Sequence, residues 1–212
     1  ARRTTAEPAA HYAGLLDPRG EVETVRDPIA ERLDDLEGAT VGFLDNSKTN
    51  ADRFLDEVAA VLTDAHGVAA TVHRRKDKSP IPAGDVAESL AADCDAVVNA
   101  YGDCGSCTSW CVYDSIDLER RGVPVATINS EEFVGLGQSE ARSLGMPGLP
   151  LVTVAHPMGD ADEATVRRRA RGAVEEIVAV LTTDRETLEA EYRDRFLDAD
   201  EELSSRDLAC PL

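Results

Sequence analysis

The chain has 212 residues, a length that suits one globular domain with tails and a sizeable core better than a two-domain enzyme. With 22 Lys+Arg against 41 Asp+Glu the formal net charge is −19, a field that repels nucleic-acid phosphates and anionic lipid headgroups and so argues against both as partners. No stretch approaches the roughly 20 apolar residues of a membrane span, and the start lacks the basic, apolar and small-residue order of a secretory signal, so a cytoplasmic protein is expected.

Residues 1–38 are polar and carry Pro8, Pro18 and Pro28, which predicts an extended arm packed on the domain or on a partner subunit. The apolar run 40–44 predicts a first strand ending in the polar loop Asp45-Asn46-Ser47-Lys48-Thr49-Asn50. Phe54, Leu55, Val58, Val61 and Leu62 at helical spacing predict an amphipathic helix that stops near Gly67. Further elements are expected as a strand at 68–73, a helix at 85–92, a strand at 96–100, the cysteine loop and a helix at 109–121. A strand at 124–128, a helix at 132–144, a strand at 151–154 and a long helix at 162–181 complete the domain, taken as residues 39–182. The charged segment 183–212, with Leu188, Tyr192, Phe196 and Leu197 on one stripe, predicts a helical tail or an oligomer contact, and a homo-oligomer is expected.

A β-α unit repeated about five times with short connections predicts a flavodoxin-like α/β fold: an open, mostly parallel five-stranded sheet with helices on both faces. Ligands of such sheets bind outside the carboxyl ends of the strands, near the point where strand order reverses. Those ends carry the unusual residues of this chain.

Five cysteines are present, Cys94, Cys104, Cys107, Cys111 and Cys210, and three fall within eight residues. An odd, clustered set points to redox chemistry, nucleophilic catalysis or metal binding rather than to a disulfide framework. Cys104-Gly105-Ser106-Cys107 stands where a strand ends and a helix begins, and free N–H groups and the helix dipole stabilise a thiolate there. Gly102 and Gly105 allow a tight turn, while Ser106, Thr108 and Ser109 can cap the helix or donate to a sulfur anion. In a dithiol mechanism Cys104 attacks an electrophile and Cys107 displaces the adduct. Two alternatives remain open: small residues packing a helix start, and a metal or cluster site at Cys104, Cys107 and Cys111 with Cys94 or His156 as a fourth ligand. Cys94 reads as structural, and Cys210 has no evident partner.

Lys48 is one of only three lysines, with Lys76 and Lys78. It can hold a thiolate, bind a substrate carboxylate or phosphate, or form a Schiff base, against the plainer reading of a solvated loop cation. Asn46, Asn50 and Asp45 add polar groups around it as candidate substrate ligands. No glycines precede it, so the loop is not a Walker motif. His156, followed by Pro157 after the fifth strand, is a candidate general acid or base. Asp103 can orient a base, although its charge disfavours an adjacent thiolate. Glu131 is a weaker ligand candidate, and Asn129 and Ser130 are expected to cap the next helix. His11, His66 and His73 have no constellation around them. One Trp, four Tyr and no phosphate-cradling turn argue against flavin, and no cofactor or metal is expected.

The Cys-Gly-Ser-Cys of 104–107 resembles the defining motif of the UGSC family, in which some members carry selenocysteine in place of the first cysteine. The loop 44–52, the block 102–110, the helix end Asp117-Leu118-Glu119-Arg120-Arg121-Gly122-Val123-Pro124 and the Val154-Ala155-His156-Pro157 segment extend the likeness over about residues 34–180. The resemblance implies that Cys104, at the selenocysteine position, is the nucleophile. A more distant likeness is to the selenoprotein component of glycine, sarcosine and betaine reductases, and it implies attack on a small substrate through a thioether. The expected function is a thiol-dependent enzyme with Cys104, Cys107, Lys48 and His156 as catalytic groups. Its expected partners are a small, anionic substrate and a reducing thiol or thioredoxin-like donor. Thiol–disulfide oxidoreductase activity and a non-catalytic or metal-binding reductase subunit are the competing expectations.

Overall fold

A computed structural model describes residues 27–197 of the chain. In order they form β1 (Thr40–Asp45), α1 (Ala51–His66), β2 (Ala70–Arg75), α2 (Asp85–Asp93), β3 (Ala96–Gly102) and α3 (Gly105–Arg120). Then come β4 (Val125–Ser130), α4 (Val134–Ser143), β5 (Leu151–Val154), α5 (Glu163–Thr182) and α6 (Arg185–Tyr192). All strand pairs are parallel and the order is β2-β1-β3-β4-β5, which is the flavodoxin-like order. Helices α1 and α5 pack on each other, and α3 lies between α2 and α4, so the sheet carries a helical layer on each face. The strand order reverses between β1 and β3, and their carboxyl ends therefore flank a natural cleft.

The interior strands β1, β3 and β4 are buried almost throughout, with Val41, Phe43, Val98, Ala126 and Ile128 shielded from solvent. Helix α1 presents Phe54, Leu55, Val58 and Leu62 to that core. It ends at Gly67, whose φ of 68° and N–H bond to the Leu62 carbonyl close the last turn. A Cβ here would meet only the mobile carboxylate end of Glu37, so the positive φ is what calls for glycine.

Four elements differ from expectation, among them β4, which runs on to Ser130 instead of ending at 128. Strand β2 lies two residues further on, because the Ala69 and Ala70 N–H groups first bond the Ala39 carbonyl before the ladder begins. As an edge strand it is largely exposed and its side chains are polar. Strand β3 continues to Gly102, which pairs with Asn129 after a register shift. Helix α3 starts at Gly105 rather than near 109, since Cys104 is extended and its carbonyl accepts the Thr108 N–H at 3.0 Å. The Cys-x-x-Cys thus forms the first turn of the helix instead of a loop before it.

The described part of the arm is strapped across the domain. The buried Glu119 carboxylate accepts from Ala30 N at 2.7 Å, from Val125 N at 2.8 Å and from both Arg32 guanidinium nitrogens at 2.9 Å. Burial pushes the Glu119 carboxyl above its ordinary value while Arg32 opposes that shift. Helix α6 buries Leu188 and Tyr192, and Phe196 packs partly buried beyond it. Residues 1–26 of the arm and 198–212 of the tail, with His11 and Cys210, lie outside the described residues. Among the described residues no helix is long and apolar enough to cross a membrane.

Candidate functional site

The β1 exit loop holds the cleft together. Asp45 accepts the Ser47 N–H at 2.7 Å, a local turn that also allows Ser47 its φ of 65°. Ser47 Oγ donates to the Lys76 carbonyl at the β2 exit. Asn46 donates to the Tyr101 carbonyl at 2.7 Å, and the Tyr101 hydroxyl donates to the Thr49 carbonyl, which joins β1 to β3. Asn50 donates to the carbonyls of Met158 (3.0 Å), Gly159 (3.3 Å) and Ala161 (3.0 Å), which joins β1 to the β5 exit. These side chains are occupied in fixing one strand end against another. Burial raises the Asp45 carboxyl above its ordinary value, and the Ser47 N–H and Arg75, 3.5 Å away, pull the other way.

The loop so fixed delivers Lys48 across the switch point, with Nζ 3.8 Å from Cys104 Sγ. Among the described residues Lys48 joins no carboxylate. Cys104 is the N-cap of α3, where no side chain caps the helix and no acidic residue occupies the first turn, so the free N–H groups and dipole act on the sulfur. The Cys107 sulfur lies within disulfide-bonding distance of Cys104, with the two Cα atoms 5.4 Å apart. Ser106 Oγ is 3.8 Å from Cys104 Sγ. Cys104 is partly accessible and Cys107 is buried beneath it.

Other candidates are placed differently. Thr108 is fully buried under the turn and lines no opening. Ser109 donates to the Gly105 carbonyl at 3.2 Å and meets Glu140 at 2.5 Å. Gly105 is exposed, and a Cβ there would touch nothing. The steric demand for glycine falls on Gly102, where a Cβ would lie 2.0 Å from Asn129 Oδ1 and 3.0 Å from the Thr108 backbone. Gly102→Ala is therefore expected to lower stability by about 1–3 kcal/mol, read as a lower urea midpoint, and to slow alkylation of Cys104 by displacing its loop.

His156 reaches the same edge from β5. Its Nδ1 lies 2.9 Å from Asp103 Oδ1 and 3.1 Å from Ser130 Oγ, and its backbone N–H donates to Glu131 Oε1 at 3.3 Å. Ser130 does not cap α4, and neither does Asn129. Their helix starts beyond Phe133, and Ser130 Oγ bonds the Gly102 carbonyl instead. Cys111 is turned inward, with its Sγ 3.9 Å from the Asn99 carbonyl. Among the described residues no group of three or more His, Cys, Asp or Glu is placed to hold a metal ion, so Cys104, Cys107 and Cys111 are not gathered into one.

The UGSC family model matches residues 14–183, which is most of the chain and includes every group just described. The chain belongs to the UGSC family. No curated protein matches this UGSC chain. Among solved structures, the flavodoxin-like domain of a Synechococcus protein aligns at 10% identity, covering 64% of this chain and 94% of that one, with a TM-score of 0.35. The flavodoxin-like assignment of this UGSC protein rests on its own strand order.

Sequence reasoning missed the Tyr101 hydroxyl and the buried Lys76–Asp114 pair. Nothing local in the sequence signals either, because their partners lie 52 and 38 residues away.

Proposed function

We propose that this chain is a cytoplasmic thiol enzyme acting on a small, anionic substrate, with Cys104 as nucleophile and Cys107 as resolving thiol. One observation carries the reading: Lys48 Nζ stands 3.8 Å from Cys104 Sγ at the uncapped start of α3, and Cys107 is within disulfide-bonding distance. The ammonium and the helix dipole favour the Cys104 thiolate over its thiol. Lys48 is also a local positive charge in a chain of net charge −19, which favours entry of a small anion there.

In the first step the thiolate displaces a leaving group X from substrate R–X, forming a Cys104 thioether, and X departs as HX. In the second, Cys107 attacks the Cys104 sulfur, and R leaves with the bond's electron pair, takes a proton and becomes R–H. The dithiol loses two electrons to the substrate and becomes a disulfide. A reducing dithiol or small thiol then restores it and is itself oxidised. His156 supplies or removes the proton.

Intact-mass analysis of Cys107→Ser purified from its native host tests the reading. A stoichiometric adduct on Cys104 that is absent from wild type is expected. An unmodified variant, while Cys104 remains reactive, would sink it. A second reading, a thiol–disulfide oxidoreductase acting on protein or small thiols, is favoured by the accessible Trp110–Tyr113 pair, with ring centroids 5.5 Å apart, on the helix that bears the cysteines. It predicts that the trapped adduct is a mixed disulfide released by reductant, whereas a thioether survives.

A further inference from the structure

We infer that Asp103 is a positioning residue for His156: it holds the imidazole proton on Nδ1 and leaves Nε2 as the bare nitrogen facing the cleft. The Asp103 side chain is 7% exposed, and its carboxylate also accepts the N–H groups of Met158 (3.1 Å to Oδ2) and Gly159 (3.0 Å). A carboxylate oxygen accepts hydrogen bonds and cannot donate them. A bare Nδ1 would set its lone pair against that oxygen's at 2.9 Å, so the proton is assigned to Nδ1.

The second neighbour of Nδ1 fits the same assignment. Ser130 Oγ, 3.1 Å away, has its own proton directed at the Gly102 carbonyl at 3.3 Å, so it turns a lone pair to Nδ1. Among the described residues no group bonds Nε2. The remaining neighbours fix the ring without competing for that nitrogen. Glu131 holds the His156 backbone N–H at 3.3 Å, and the Phe133 ring lies 5.7 Å from the imidazole.

The segment that carries the ring is gripped from both sides. Asp103 takes the N–H groups of Met158 and Gly159, while Asn50 takes the carbonyls of Met158, Gly159 and Ala161. Asp103 precedes Cys104 directly, so the residue that sets the histidine tautomer is the chain neighbour of the nucleophile. Both nitrogens are protonated in the imidazolium, and loss of the Nε2 proton gives the neutral ring held by Asp103. Proton exchange through Nε2 therefore requires no ring flip.

The catalytic consequence rests on His156 as the acid–base group of the proposed thiol chemistry, but the tautomer itself is read on the resting protein. Histidine side-chain 15N spectra are recorded at about pH 8.5, where imidazole is mostly neutral, with His156 assigned from its loss in His156→Gln. The expected wild-type result is a protonated Nδ1 and an unprotonated Nε2. In Asp103→Asn the single amide oxygen serves the Met158 and Gly159 N–H groups, and the ratio of Nδ1–H to Nε2–H forms is expected to fall at least about fivefold. A predominantly Nε2–H wild type, or a ratio unchanged in the variant, overturns the inference. If Asp103→Asn does not fold, the wild-type spectrum alone decides. The same spectra from Cys104→Ser should be unaltered, so failure of the thiol reading leaves this test intact.

Discussion

Limiting iodoacetamide at pH 8 is expected to modify the fully reduced protein at Cys104 first, with Cys94 and Cys111 at least about a hundredfold slower. The thiolate is the nucleophile, so the order follows how each site treats a sulfur anion. Cys94 is 9% exposed, and burial, reinforced by Asp93, pushes its thiol up to about 11, so only about one molecule in a thousand is ionised at pH 8. Cys111 is fully buried, and burial with the nearby Asp114 charge raises it further. Cys104 alone among them is partly accessible, stands at the N-cap position of a helix and faces an ammonium at 3.8 Å. A partly exposed charge at that distance is worth about 1–2 kcal/mol to the thiolate, so Lys48→Met should slow Cys104 alkylation about tenfold at pH 7. Peptide mapping of a time course measures both effects. Equal labelling of Cys94, Cys104 and Cys111 would remove the electrostatic basis of the proposed chemistry.

The sheet was legible because its interior strands are short apolar runs separated by polar turns, and burial on both faces leaves few other ways to house Val97, Val98, Val125 and Ile128. Boundaries were less legible where tertiary partners decide them. The start of α3 depends on the extended backbone of Cys104, and no propensity at Gly105 or Ser106 announces a helix. The site was legible as a meeting of strand ends, since Lys48, Cys104 and His156 each follow a strand. The division of labour among its polar residues was not. Asn46, Asn50 and Asp45 read as substrate ligands because they are polar and near Lys48, yet their hydrogen bonds go to backbone groups of two other strand exits or to their own turn. Hydrogen-bond capacity is visible in a sequence, whereas its direction is set by neighbours 50 or more residues away.

Lys76→Met should cost about 3–5 kcal/mol of stability, roughly 6–20 °C in Tm for a chain of this size. Lys76 Nζ lies 2.5 Å from Asp114 Oδ2, with side chains only 1% and 2% exposed, and Asp114 Oδ1 accepts the Ala83 N–H at 2.7 Å. Removing the ammonium leaves a buried carboxylate with one backbone donor, and that uncompensated charge is the source of the loss. Replacing both residues, as Lys76→Met with Asp114→Leu, removes the stranded charge and is expected to recover most of the stability. The pH dependence has a definite sign. Burial raises the Asp114 carboxyl while Lys76 lowers it, so in Lys76→Met the upward push is unopposed. A carboxyl raised in the folded state stabilises that state as pH falls through its folded value. The single variant should therefore lose less stability, relative to wild type, at pH 5 than at pH 8, and the double variant should show no such dependence. Urea titrations at the two pH values measure this. The pair also bears on the chemistry. The Lys76 backbone receives Ser47 Oγ and donates to the Asp45 carbonyl at 2.9 Å, while its side chain anchors α3 through Asp114. One residue thus ties the loop that carries Lys48 to the helix that carries Cys104. Lys76→Met should slow Cys104 alkylation through loss of that alignment, although Lys76 itself bonds neither Lys48 nor Cys104 among the described residues.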